Sequence, residues 1–167
     1  MSATLAPERT TAAPSIALPE QRVIQVRDLT VRFQGENGYL DVVRNIGFDV
    51  DRGQTLAIVG ESGSGKSVTS LALMRLIEHG GGRIVGGSAL FRRRNGQVLD
   101  LAQATSQQMR SIRGADIAMI FQEPMTSLNP VFTSGDQIAE SVRVHQGMDR
   151  AAARAEALRM LELVRIP

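Results

Sequence analysis

The segment Gly60-Glu61-Ser62-Gly63-Ser64-Gly65-Lys66-Ser67 constrains the fold of this chain more than any other stretch. It meets every fixed position of the pattern G-x-x-x-x-G-K-[ST], in which loop amides and one ammonium hold a phosphate chain. Its flanks suit that use. Gln54-Thr55-Leu56-Ala57-Ile58-Val59 is a short apolar run that reads as a strand buried on both faces. From Lys66 to Glu78 there is no glycine or proline, and Val68, Leu71 and Leu76 supply an apolar face. The run stops at Gly80-Gly81-Gly82, so it predicts a helix. Strand, loop and helix in that order aim backbone N–H groups and the positive end of a helix at an anion. Lys66 is the only lysine, the other eighteen basic residues being arginine. An ammonium is a compact point charge that can lie along two phosphates, whereas a planar guanidinium is wider. Binding of a nucleoside triphosphate is therefore expected at Gly60, Glu61, Ser62, Gly63, Ser64, Gly65, Lys66, Ser67 and Val68. The Ser67 hydroxyl is placed to ligate a Mg²⁺ shared with the phosphates.

Composition narrows the field. A length of 167 residues suits one ordinary domain, and a net charge of +2 implies no strong field for polyanions. The six aromatics include no tryptophan, which argues against a base-stacking platform for nucleic acid. Cysteine is absent, excluding disulfides and thiolate metal sites from these residues and suiting a reducing compartment. His79 and His145 stand alone in sequence and read as surface or helix-end residues. No apolar run approaches the ~20 residues that span a bilayer, and the N-terminus lacks a basic region followed by an apolar core. A membrane role would have to come through a partner.

Along the chain, residues 1–21 are rich in Ala, Thr and Pro without periodicity and read as a disordered tail. Leu29, Val31 and Phe33 alternate, as do Ile46, Phe48 and Val50, so two strands are expected to pair antiparallel across the Gly35-Glu36-Asn37-Gly38 turn. Arg83 to Asp100 reads as a second pair around Asn95-Gly96, with Arg92-Arg93-Arg94 as its solvated end. Thr105 and Gln108 form a capping box for a short helix. Ile117-Ala118-Met119-Ile120-Phe121 is a second continuous apolar run, expected to be a second buried strand. Two helices are expected to follow, from about Ser134 to Gln146 with Gln137 as capping partner, and from Asp149 to Val164.

The phosphate loop alone does not choose among nucleotide-binding families. A guanine-reading Asn-Lys-x-Asp is impossible because the single lysine is already used. Antiparallel strands with Phe33 and Tyr39 precede the loop, and the second apolar run ends in Phe121-Gln122-Glu123-Pro124. With Met125-Thr126-Ser127-Leu128-Asn129-Pro130 after it, the sequence resembles the ATP-binding subunit of ABC transporters, in the peptide-importer branch and nearest its glutathione-importing members. The resemblance covers about Val23 to Pro167. It implies an α/β fold: the P-loop NTPase core of an ABC ATPase, with an antiparallel β subdomain and the start of a helical subdomain. Residues 22–132 would form the core and residues 133–167 the helical part.

That resemblance also implies roles. ATP and Mg²⁺ are the cofactors, with Lys66 on the β- and γ-phosphates and Ser67 on the metal. Gln122 would contact the metal or the attacking water, and Glu123 to Asn129 would face transmembrane permease subunits. Phe33 would stack on adenine, with Tyr39 the weaker candidate. The other implied partners are a second ATP-binding domain and, indirectly, a periplasmic solute-binding protein. The implied location is the cytoplasmic face of the bacterial inner membrane, and the implied cargo glutathione or short peptides. The family's signature, its acidic strand end and its switch histidine have no match here. The expectation is an N-terminal part of a longer subunit, inactive or nearly so on its own. The alternative is a non-catalytic nucleotide-binding or interaction module complete at this length.

Overall fold

The structure, a computed structural model, describes residues 17–36, 38–121 and 128–166. Its contacts divide the chain into two compact units, Met1–Arg110 and Ser111–Pro167. The boundary expected after residue 132 from sequence lies inside the second.

In the first unit, β1 (Arg22–Gly35) pairs antiparallel with β2 (Gly38–Asp51), as the two alternating patterns predict. On its other side β1 pairs with β3 (Gly82–Arg92), which pairs with β4 (Val98–Asp100) around the expected Asn95-Gly96 turn. The sheet order is β2-β1-β3-β4. A central strand has neighbours on both edges, so β1 carries the heart of the core: Val26, Leu29 and Val31 are fully buried. Each such side chain contributes about 1.5–3 kcal/mol over leaving it exposed. Ala72, Met74, Ile77, Ala89, Phe91, Leu101 and Met109 complete this core.

Several expectations need correction. The helix after the phosphate loop, α1, ends at Leu73 rather than Glu78, and a 3-10 turn follows at Ile77–Gly80. The break is at Arg75, whose φ is +54. Its guanidinium donates to the carbonyls of Ala102 at 3.1 Å and Ala104 at 2.9 Å and pairs with Glu78. Tertiary hydrogen bonds of a charged donor outweigh helix propensity there. Arg92 is no solvated end either: it donates to the carbonyls of Leu18 at 2.7 Å and Pro19 at 3.3 Å. The expected tail is thus tied down from Leu18, which is itself buried.

Both apolar runs differ from expectation most. Residues 54–59 belong to no strand, and Leu56, Ile58 and Val59 are 41%, 46% and 88% exposed. Of the second run, Ile117 makes one isolated parallel bridge to Arg113, and Ile120 is 94% exposed. A parallel strand exists only through neighbours that complete its ladder and cover its faces. Apolar composition marks a segment as fit for burial, and among the described residues neither run gains a ladder beyond that single bridge.

Helix α2 (Ser106–Ile112) crosses the division between the units and opens with the expected capping box. The Thr105 amide donates to Gln108 Oε1 at 2.8 Å and the Gln108 amide to Thr105 Oγ1 at 3.2 Å. In the second unit, α3 (Ser134–Gln146) and α4 (Arg150–Leu163) fall where expected. The α3 cap is Thr133, whose Oγ1 accepts from the Asp136 amide at 3.1 Å. Gln137, expected in that role, instead holds the preceding turn. It accepts from the Asn129 amide at 3.0 Å and donates to the carbonyls of Asn129 and Phe132. Asp149 caps α4 by accepting from the Ala152 amide at 2.9 Å.

Candidate functional site

The phosphate loop stands against the middle of β2. Gly65 is the residue before α1, with φ +89, and no side chain caps the helix. The first-turn amides therefore have neither an intrahelical acceptor nor a capping oxygen, the state in which a helix N-terminus attracts an anion. A Cβ on Gly65 would lie 3.1 Å from the Val42 carbonyl oxygen and 3.1 Å from Val43 Cγ2, so glycine is required both by its dihedral and by its neighbours. The buried Thr69 fastens the loop from below, its hydroxyl donating to the Gly65 carbonyl at 3.0 Å.

Lys66 curls over its own loop. The ammonium donates to the carbonyls of Gly60 at 2.8 Å and Glu61 at 2.6 Å and reaches Ser64 Oγ at 3.2 Å. These bonds brace the loop and hold a positive charge at its start. Ser67, on the first turn of α1, is exposed, and among the described residues its hydroxyl has no partner. Glu61, Ser62, Gly63 and Ser64 are exposed, and Val68 is half-buried on α1. An open cleft of ≈ 720 Å³ adjoins the loop, lined by Val43, Ile46 and Phe48 of β2, by Leu56 to Gly60, and by Ser64, Lys66 and Thr69.

Not every expected residue gathers there. Phe33 is half-buried in β1 with its ring against Gly82, and it does not line this cleft. Tyr39 is 73% exposed, with the Arg32 guanidinium 5.9 Å from its ring centre. Arg32 is itself forked onto Asp41 at 2.6 and 3.0 Å, which holds that carboxyl below its usual range. Gln122 and residues 123–127 lie outside the described residues. Sequence reasoning missed Thr69 and the Val42–Val43 backing. Thr69 stood four residues after Gly65, at the spacing for a hydroxyl to bond back to a helix-start carbonyl. The backing by β2 left no local signal.

A glycine-rich loop feeding its lysine-bearing helix, docked on an antiparallel sheet, is the phosphate-binding corner of a P-loop nucleotide-binding protein. The chain belongs to the ABC transporter family, whose profile it matches over residues 43–166. It is 70% identical over 154 residues to the glutathione import ATP-binding protein GsiA of Pectobacterium atrosepticum, covering 92% of this chain and 25% of that protein. The GsiA proteins of Salmonella typhimurium and Escherichia coli are 60% and 57% identical, over 90% and 87% of this chain and 24% and 23% of their own lengths. The chain thus spans about a quarter of the length of these relatives. Among solved structures, it resembles the ATP-binding cassette MJ0796 in a dimeric post-hydrolysis state bound to ADP and Pi. That likeness has a TM-score of 0.69 at 19% identity and covers 83% of this chain and 56% of that one. It shows the fold, that of an ATP-binding cassette. Among the described residues no helix is long and apolar enough to cross a membrane.

Proposed function

We propose that this chain is part of the ATP-binding subunit of an ABC importer that couples ATP binding and hydrolysis to uptake of glutathione or short peptides. The observation that carries the reading is the phosphate loop, with its uncapped α1 amides and Lys66 folded back onto the carbonyls of Gly60 and Glu61. The names of the relatives support the cargo class. Lys66 exchanges its loop carbonyls for β- and γ-phosphate oxygens, trading neutral acceptors for charged ones that bind it more strongly. The amides at the start of α1 hold the phosphate tail in place. Ser67 would offer its hydroxyl to Mg²⁺, and Gln122 would supply a second ligand or orient the attacking water. When bound, the metal would supply positive charge against the phosphate tail.

The rest of the reading follows the same line. Adenine stacking falls to Phe33, with Tyr39 second to it, and requires the Phe33 ring to swing off Gly82 toward the loop cleft. Residues 123–129 meet the permease, and a second ATP-binding domain completes each hydrolytic site. A solute-binding protein delivers cargo on the far side, and the subunit sits on the cytoplasmic face of the inner membrane. Alone, the 167-residue chain binds nucleotide without useful turnover, since losing a positioned base costs about 10²–10⁴-fold in rate. Magnesium-ATP titrated into ¹⁵N-labelled protein is expected to shift the amide resonances of residues 60–67 saturably, and Lys66→Ala to abolish the shift. Unmoved amides in folded protein overturn the nucleotide reading. Steady-state hydrolysis above background that Lys66→Ala removes overturns the statement about turnover.

A further inference from the structure

Among the described residues Thr69 is the one buried polar side chain, 4% exposed. Gly65, four residues before it, is buried as well. The Gly65 carbonyl accepts twice from Thr69, from the backbone amide at 2.8 Å and from Oγ1 at 3.0 Å. The amide bond is the ordinary first rung of α1 and already gives that carbonyl a partner. The hydroxyl is surplus to it, and taking a hydroxyl out of water costs hydration. Valine has the same shape and branching and needs no partner in such a site. Packing alone therefore gives no reason for threonine here.

We propose that Thr69 is a positioning residue for the nucleotide: its hydroxyl sets the tilt of the Gly65–Lys66 peptide, so that the Lys66 amide points out of the start of α1 at the phosphate tail. The peptide unit itself makes the link. The Gly65 carbonyl and the Lys66 N–H belong to one trans plane and point in opposite directions. Two donors drawing the carbonyl down the helix turn the N–H up and out. With the backbone amide alone the plane can rock, because the N–H groups of a first turn have no partner within the helix. The α-carbon of Gly65 is held from a second direction, against the Val42 carbonyl oxygen and Val43 Cγ2 of β2. Carbonyl and α-carbon are thus both fixed, and the next amide inherits their orientation. An amide set in advance meets an anion without reorganising. This role rests on the nucleotide reading above, whereas the control of the amide by the hydroxyl does not.

Two substitutions in the whole chain separate positioning from packing. Thr69→Val keeps the shape and removes the hydroxyl, and Thr69→Ser keeps the hydroxyl and removes a buried methyl. Thr69→Val is expected to leave the urea midpoint unchanged or raised while weakening magnesium-ATP binding about 3–10-fold, the worth of one neutral hydrogen bond. Thr69→Ser is expected to lower the midpoint and keep the parent affinity. Parent affinity in Thr69→Val overturns the proposal. So does binding that weakens in step with the midpoint in both variants, the mark of packing alone. A second readout needs no nucleotide: ¹⁵N relaxation order parameters of the Lys66 and Ser67 amides are expected to fall in Thr69→Val and hold in Thr69→Ser. Unchanged values in Thr69→Val overturn the control of the amide. If Thr69→Val does not fold, Thr69→Ser and Thr69→Ala, which differ only in the hydroxyl, decide by the same two measurements. If the parent chain itself does not bind magnesium-ATP, the nucleotide reading fails and the role with it, and the relaxation result still judges the hydroxyl's hold on the amide.

Discussion

Replacing Gly65 with alanine separates two reasons for glycine at the start of α1. At φ +89 an L-residue costs about 1–2 kcal/mol in backbone energy. The added methyl would also stand 3.1 Å from both the Val42 carbonyl oxygen and Val43 Cγ2. One neighbour is β2 backbone, flanked by the paired Asp41 and Val43, so the loop must move outward, and overpacking of this kind adds about 1 kcal/mol or more. Gly65→Ala is therefore expected to cost about 2–3 kcal/mol. Gly63 is the control, with φ +81 and nothing within 4 Å of its Cβ. Gly63→Ala bears only the backbone part, about 1–2 kcal/mol. Urea unfolding followed by circular dichroism measures both, with the denaturant slope unchanged if the two-state comparison holds. Isothermal titration with magnesium-ATP should show weakening of about 10-fold or more in Gly65→Ala, roughly 1.4 kcal/mol, because the α1 amides leave register. Equal unfolding midpoints for the two variants would refute the argument that β2 backs the loop sterically.

Other outcomes follow from single contacts. Asp49 is held at about 2 by the hydrogen bond from Arg27 and by Arg22, against desolvation. Its ordinary value is 3.8, so its stabilising contribution is complete above about pH 4, declines as pH falls and is lost below about 2. Asp49→Asn should flatten that acid limb when unfolding is measured between pH 5 and 2. Thr133→Ala removes the acceptor for the Asp136 amide and should cost about 1 kcal/mol, whereas Thr133→Ser should cost little. Arg92→Ala frees the carbonyls of Leu18 and Pro19, so trypsin should cut after Arg22 faster than in the parent chain, at matched global stability.

Local chemistry was legible because its partners lie close in sequence. The Thr105–Gln108 box, the turn at Asn95-Gly96 and the bounds of α3 and α4 all depend on residues within a few positions of one another. The phosphate loop was legible for the same reason: eight consecutive residues carry its amides, its ammonium and its hydroxyl. Errors arose where a distant residue decided the outcome. Nothing near Arg75 announces that carbonyls at 102 and 104 will draw its guanidinium and end α1. Nothing near Arg92 announces Leu18, seventy-four residues earlier. Gln137 sat at capping distance from Ser134 yet served the Asn129 turn, because the chain before α3 folds back onto it.

By itself the sequence determined the chemistry this protein can offer: one lysine above a glycine loop, a hydroxyl beside it, two alternating strands and helices whose starts carry their own caps. Periodicity, turn propensity and side-chain charge are properties of adjacent residues, and they survive whatever surrounds them. Tertiary structure alone decided which apolar segments are buried. It also decided that Val42 and Val43 back Gly65, that Phe33 lies on Gly82, and that His145 comes to rest on Gly114. Burial and close contact belong to pairs of segments distant along the chain, so neither can be assigned before the partner is in place.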